Sequence, residues 1–240
     1  MNKKIILASK SEVRKKIFQL NDISCTSEPA NIDEELIKES MIKEGASPLD
    51  ISKNLAELKA NKISKKKYNE LVIGADSVID LNGEIISKPT DREEAFKILR
   101  KLNGKKHHLI SSVCVSKNGS MIWNYTDKAA LTMKQMSDEE IKKYLNKITD
   151  KALYAYNVYQ IEGEGRSLFS KIEGDEDTIM GLPIKKIKEY LNKIKDKELY
   201  AYNVYQIEGE GRSLFSKIEG DENTVMGLPI KQIKEYLNNL

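Results

Sequence analysis

Leu71-Val-Ile-Gly-Ala-Asp-Ser-Val-Ile79 decides the reading of this chain. A run that is apolar on both faces marks a central strand covered from two sides. One acidic residue, Asp76, interrupts it near its expected end. A carboxylate is costly to bury without a partner, so it binds a metal, accepts hydrogen bonds or caps a helix. Taken alone, a purely structural carboxylate explains Asp76 equally well, with Ser77 as its local partner.

Outward from this strand, helices and strands alternate. Upstream, residues 3–8 read as a short strand and 11–20 as a helix with apolar spacing at Val13, Ile17 and Leu20. A second strand is expected at 23–27, ended by Pro29, and a helix over 33–43. Ser47-Pro48 then opens a longer helix over 49–63, with serine as N-cap and proline in the first turn. Downstream, Asn82-Gly83 marks a turn, and Thr90 or Asp91 caps a helix that reaches Leu102. Two long strands, 108–115 and 121–133, pair around Asn118-Gly119. Ser137-Asp-Glu-Glu140 is a capping box for a helix to Leu145. A strand, a turn and a helix over 183–191 complete the pattern. This order predicts an α/β fold with a mixed sheet.

The length, 240 residues, is inflated by a repeat. Residues 144–192 recur as 190–238 at an offset of 46, with five differences in 49 positions. They are Thr149/Lys195, Ala152/Glu198, Asp177/Asn223, Ile179/Val225 and Lys186/Gln232. Solenoid repeats diverge more and come in larger numbers, so this reads as a tandem duplication of one C-terminal unit. The expected organisation is one domain over 1–192 and a second copy of its last unit over 193–240. Such a unit is too small to build a core of its own. The first copy is expected to fill the fold, since it needs no 46-residue excursion and carries Ala152 where the second carries Glu198.

Composition excludes several classes. Lys and Arg number 40 against 37 Asp and Glu, too even a balance to argue for nucleic acid. The second copy carries net −1, leaving +4 on residues 1–192. No apolar run approaches the roughly 20 residues of a membrane span. Ile5–Ala8 is too short for the core of a signal peptide. Cys25 and Cys114 stand far apart with no metal-ligand spacing, and read as two buried thiols in a reducing cytoplasm.

The chemistry gathers at a few places. Leu7-Ala-Ser-Lys-Ser11 leads from a strand into a helix N-terminus, where free N–H groups and the helix dipole favour an anion. Arg14, on the first turn, adds a fork of donors. Ordinary capping by Ser11 explains the same residues. Lys59 and Lys88 are distinguished from other lysines only by context. The pair His107-His108 reads as structural, and Trp123, Tyr154, Tyr156 and Tyr159 as core or interface residues. Glu162-Gly-Glu-Gly165 reads as a tight turn. Together, a strand carboxylate, an anion cradle and two lysines suit a phosphoanhydride and a divalent cation.

Nine motifs then occur in a familiar order: Ile6-Leu-Ala-Ser-Lys-Ser11, Asp33-Glu34, Leu55-Ala-Glu-Leu-Lys-Ala60, Ile73-Gly-Ala-Asp-Ser77, Ser87-Lys-Pro-Thr-Asp91, Leu102-Asn-Gly-Lys-Lys-His107, Glu162-Gly-Glu-Gly165, Ile172-Glu-Gly-Asp175 and Gly181-Leu-Pro183. Over residues 3 to about 192 the chain resembles the Maf family of nucleoside triphosphate pyrophosphatases. The resemblance implies a mixed, twisted sheet in two lobes around a central cleft. It implies hydrolysis of a nucleoside triphosphate to monophosphate and pyrophosphate, a divalent cation such as Mg2+ or Mn2+, and often a homodimer, with neither nucleic acid nor membrane as partner. By that similarity Asp76 is the general base; in the expected mechanism it either ligates the metal or takes a proton from the attacking water, with Glu34 as a second metal ligand. Ser9, Arg14, Lys59 and Lys88 hold the triphosphate. Ser77 and Glu162 bear on base selectivity.

Two departures stand out. Glu12 and Val13 replace a Pro-Arg pair in the first motif, and Glu162 stands where branches selective for thymidine and uridine triphosphates carry Gln. Cleansing of modified nucleotides is the expected role. A nucleotide-binding regulator of cell division with low turnover is the alternative that the altered first loop favours. A self-associating structural module is a third.

Overall fold

A computed structural model describes residues 4–150, 153 and 158–201, and positions 212, 213, 216, 217, 219, 234, 235 and 237. The chain divides into two units, Met1–Lys186 and Ile187–Leu240. The second unit is described mainly as the continuation of a helix to Ala201.

The first unit follows the predicted order. Strands β1 (Ile5–Leu7), β2 (Cys25–Ser27), β3 (Leu71–Leu81), β4 (Glu84–Ile86), β5 (Lys106–Lys117), β6 (Ser120–Met133) and β7 (Phe169–Glu173) form one sheet. Its order is β2-β1-β3-β5-β6-β7, with β4 also beside β3. β1 is parallel to β2 and β3, and the other pairings are antiparallel. Helices α1 (Glu12–Leu20), α2 (Glu34–Lys43), α3 (Pro48–Ser64), α4 (Arg92–Leu102) and α5 (Asp138–Lys147) follow their expected caps. Ser11, Asp33, Ser47, Asp91 and Ser137 each accept a backbone N–H of the first turn, and Ser137 with Glu140 closes the capping box. Asn82-Gly83 and Asn118-Gly119 take positive φ at both residues, the geometry of tight hairpins.

Three expectations are corrected. Asp76 lies in the middle of β3, not near its end, because β3 runs on to Leu81 against β5. The helix expected over 183–191 is longer: α7 (Ile184–Ala201) passes through Leu191, since no Gly or Pro follows closely to stop it; a short α6 (Glu176–Ile179) precedes it. Cys25 is only half-buried, while Cys114 is buried. Tyr154 and Tyr156 lie outside the described residues.

The first copy of the repeat supplies β7, whose register pairs Ala130 with Glu173 and Leu131 with Ile172. In the second copy the corresponding residues are 215–219, of which 216, 217 and 219 are described.

Among the described residues, one hydrophobic cluster joins Ile79, Leu99, Leu131, Ile141, Tyr159, Phe169 and Ile179 around α4 and α5. Another joins Ile6, Ala8, Ala30, Ile63 and Val72, and a small one joins Ala56, Ala60 and Cys114. β1 pairs β3 only at residues 71–73, and β4 pairs it only at residues 79–81. That edge of β3 is left without a partner strand between them, and Asp76 sits in the gap.

Candidate active site

The gap in the sheet edge is the floor of a cleft of about 710 Å3, lined by the loop from Ala8 to Arg14, by Glu34, Lys38, Lys59, Asp76, Ser77 and Lys88, and by the segments 159–162 and 179–181. The cleft lies at the carboxyl end of β1, where parallel strands place their ligands.

Gly74 sets the geometry of its centre. A Cβ there would stand 2.2 Å from the Ala56 carbonyl oxygen and 2.7 Å from the Ala60 nitrogen. Only glycine lets α3 lie this close to β3. The close approach carries Lys59 across the cleft floor, where its Nζ donates to Asp76 Oδ1 at 2.7 Å and meets Glu34 Oε1 at 2.9 Å. Ser52 Oγ donates to the Asp76 carbonyl. Asp76 is 4% exposed, and its Oδ2 is buried without a protein partner.

Electrostatics confirm how tightly these groups are placed. Burial works to raise the Glu34 carboxyl, but Lys59, with Lys38 and Lys88 beyond it, outweighs burial and holds it below the ordinary carboxylate value. Burial is also the main reason that the Lys88 ammonium is pushed down; Lys38, Arg14 and Lys59 push the same way against Glu34.

Arg14 behaves differently from its expected role as a free phosphate clamp. Nε donates to the Gly181 carbonyl at 2.8 Å, Nη1 to the Ala75 carbonyl at 2.9 Å and Ser9 Oγ at 3.4 Å, and Nη2 to Ser77 Oγ at 3.1 Å. Four of its five donors are therefore committed. Ala75 lies in the β3 gap, so the guanidinium satisfies a carbonyl that no strand reaches. Ser77 Oγ continues to Ser111 Oγ at 2.9 Å, Ser111 donates to the Thr178 carbonyl at 2.8 Å, and Thr178 Oγ1 donates to Asp127 at 2.7 Å. This chain of polar contacts ties the turn at Met180-Gly181 to the sheet.

The loop before α1 is held by local capping bonds. Ser9 Oγ accepts from the Ser11 N–H, and Ser11 Oγ accepts from the Arg14 N–H. Glu12 is exposed and pairs with Lys15 at 2.6 Å, and Val13 is half-buried.

All eight predicted site residues line this one cleft. Lys38, Tyr159, Gln160 and Gly181 also line the cleft and were not among the expected site residues. Lys38 had one usable signal, its place one helical turn after Glu34. Gln160 Nε2 donates to Glu162 Oε1 at 3.1 Å, which pairs the half-buried Gln160 with the exposed Glu162. Tyr159 is buried, and its hydroxyl meets His107 Nε2 at 2.9 Å. Burial lowers the imidazole of His107 to about 4, which makes it a neutral structural partner of Tyr159.

A mixed α/β sheet with a cationic cleft and one carboxylate at its floor defines a protein that handles an anionic ligand. The chain belongs to the Maf family: the profile of the Maf-like protein matches residues 4–194, and again 187–240. A nucleoside triphosphate pyrophosphatase of Pelagibacter ubique (strain HTCC1062) is 71% identical over 137 residues, covering 57% of this chain and 70% of that protein. One of Roseobacter denitrificans (strain ATCC 33942 / OCh 114) is 39% identical over 138 residues, covering 58% and 69%. A 7-methyl-GTP pyrophosphatase of Brucella abortus biovar 1 (strain 9-941) is 37% identical over 136 residues, covering 57% and 68%.

Proposed function

We propose that this protein hydrolyses nucleoside triphosphates to the monophosphate and pyrophosphate, and that it removes modified nucleotides. The observation that carries this reading is Asp76: a buried carboxylate with one oxygen held by Lys59 and the other without a protein partner, at the floor of a cationic cleft. The names of its relatives in the same family support it.

Asp76 Oδ2 takes the proton of a water molecule whose oxygen attacks the α-phosphorus. The new P–O bond forms as the bond from that phosphorus to the bridging oxygen breaks, and pyrophosphate leaves. Lys59 and Lys88 stabilise the charge that develops on the leaving group. Ser9 and the α1 N-terminus bind phosphate oxygens. Arg14 orients the site through Gly181, Ala75 and Ser77 rather than by gripping phosphate with both arms. Ser77 and Glu162 face the nucleoside.

The residues present fit a divalent cation. Among the described residues no group of three or more His, Cys, Asp or Glu forms an all-protein cage. Magnesium asks for less: one or two carboxylates, with phosphates and water completing its shell. Glu34 would hold it, and Asp76 would either join it as a ligand or act on the water, since its one unpaired oxygen cannot do both at once. When bound, the ion supplies charge neutralisation and Lewis acidity to the phosphates.

Residues 1–192 form the catalytic domain in this reading, and 193–240 repeat its last unit. The low-turnover alternative rests on Glu12 and Val13, and triphosphate turnover separates it from the first reading.

Asp76→Asn is expected to abolish pyrophosphate release from a panel of ordinary and modified triphosphates while the far-ultraviolet circular dichroism stays that of the parent. Near-parental turnover in that variant sinks the assignment.

A further inference from the structure

Lys38 is buried more deeply than its ion pair requires. Its side chain is 9% exposed, yet the carboxylate it meets at 2.9 Å, Glu35, is 56% exposed. Ion pairs between neighbouring turns of a helix normally stand in water and contribute a few tenths of a kcal/mol. Drawing an ammonium out of water for such a pair is a net cost. A group placed at that cost, on the wall of the cleft, has its binding partner in the cleft.

The position follows from the helix. Glu34 and Lys38 are four residues apart on α2 and share a face. Glu34 reaches Lys59, and Lys59 reaches Asp76. Lys38 lines the same cleft as these three side chains. Lys38 also acts on Lys88, whose ammonium it helps to destabilise. The cleft is lined by five cations (Lys10, Arg14, Lys38, Lys59 and Lys88) and four carboxylates (Glu12, Glu34, Asp76 and Glu162). A polyanion relieves the repulsion among the lysines.

The geometry points to Lys38 as a substrate-binding residue that, with Lys88, holds the terminal phosphates, the end of the triphosphate that leaves as pyrophosphate. The inference rests on the pyrophosphatase reading above and adds a residue to it. When substrate enters, the Lys38 ammonium exchanges a solvated carboxylate for a phosphate oxygen, a stronger charge-assisted bond in a drier place. The cleft thereby favours triphosphates over diphosphates and monophosphates.

The test uses the full chain with Lys38→Met, Lys38→Arg and Glu35→Gln. Inorganic pyrophosphate binding is measured by calorimetry, and KM is measured for a nucleoside triphosphate. Lys38→Met is expected to weaken both by roughly ten- to a hundred-fold, the loss of one charged hydrogen bond. Binding of a nucleoside monophosphate is expected to change by less than about threefold, and Lys38→Arg to restore most of the pyrophosphate affinity. Glu35→Gln is expected to bind pyrophosphate at least as tightly as the parent. If Lys38 serves only its helix pair, Glu35→Gln and Lys38→Met lose thermal stability together and pyrophosphate binding is unchanged in both; that result overturns the inference. A parent chain that binds pyrophosphate through Lys38 but hydrolyses no triphosphate refutes the function and leaves the Lys38 site standing. A parent chain that binds no pyrophosphate overturns the site itself.

Discussion

Replacing Gly74 with alanine adds a single methyl group at the most crowded point of the site. Alanine in a strand recovers about 0.5–1 kcal/mol of chain entropy relative to glycine. The new Cβ, however, would lie 2.2 Å from the Ala56 carbonyl oxygen and 2.7 Å from the Ala60 nitrogen, where ordinary contact begins at 3.4 Å. Both obstacles are backbone atoms of α3 and cannot rotate away. The helix must recede by roughly 1 Å, and overpacking of this kind costs ~1–3 kcal/mol or more. The steric cost wins, and a net loss of about 2 kcal/mol in urea unfolding is expected. The same retreat lengthens the 2.7 Å contact between Lys59 and Asp76 beyond hydrogen-bonding range. A misplacement of about 1 Å costs on the order of 100-fold in turnover. Steady-state release of pyrophosphate from a triphosphate would show it. Parental stability together with parental kcat in Gly74→Ala would refute the argument that this glycine places Lys59.

Arg14→Lys keeps the charge but loses most of the four hydrogen bonds to Ser9, Ala75, Ser77 and Gly181. Turnover is expected to fall by at least tenfold, and amide exchange at Met180 and Gly181 to quicken; unchanged exchange would contradict the positioning role. His107 is held neutral by burial, with a folded value near 4 against 6.5 when unfolded. Its stabilising contribution is complete above pH 6.5 and is lost as pH falls toward 4, by about 3 kcal/mol in all. His107→Gln should flatten urea-derived stability between pH 6.5 and 4, and an unaltered slope in that window counts against the assignment. Truncation after Asn192 is expected to leave soluble, active protein; an insoluble or inactive product would show that the second copy is needed.

Much of this fold was legible because its cues are local. Ser11, Asp33, Ser47, Asp91 and Ser137 announce helix starts by hydrogen bonds made within three residues. Asn82-Gly83 and Asn118-Gly119 announce turns because both turn residues need positive φ. The eight expected site residues stand in or beside motifs, and those on or beside β1, β3, α2 and α3 converge because these elements pack together. What Arg14 does there was not legible: its partners Ala75 and Gly181 are 61 and 167 residues away. The gap in β3 that makes the cleft depends on how short β1 and β4 are, and strand ends are set by neighbours rather than by local preference.

The repeat separates the two kinds of information most cleanly. Tyr144-Leu-Asn-Lys-Ile148 and Tyr190-Leu-Asn-Lys-Ile194 are the same five residues. In the first, the helix stops at Lys147 and Ile148 is extended. There Arg92 donates to the carbonyls of Leu145 and Ile148 and to Asp150. In the second, the same five residues lie inside α7. The sequence by itself determined that this segment favours helix, and that Lys195 continues it more readily than the β-branched Thr149. Only the tertiary structure decided where the first helix ends, because the terminal carbonyls are satisfied by an arginine 53 residues upstream.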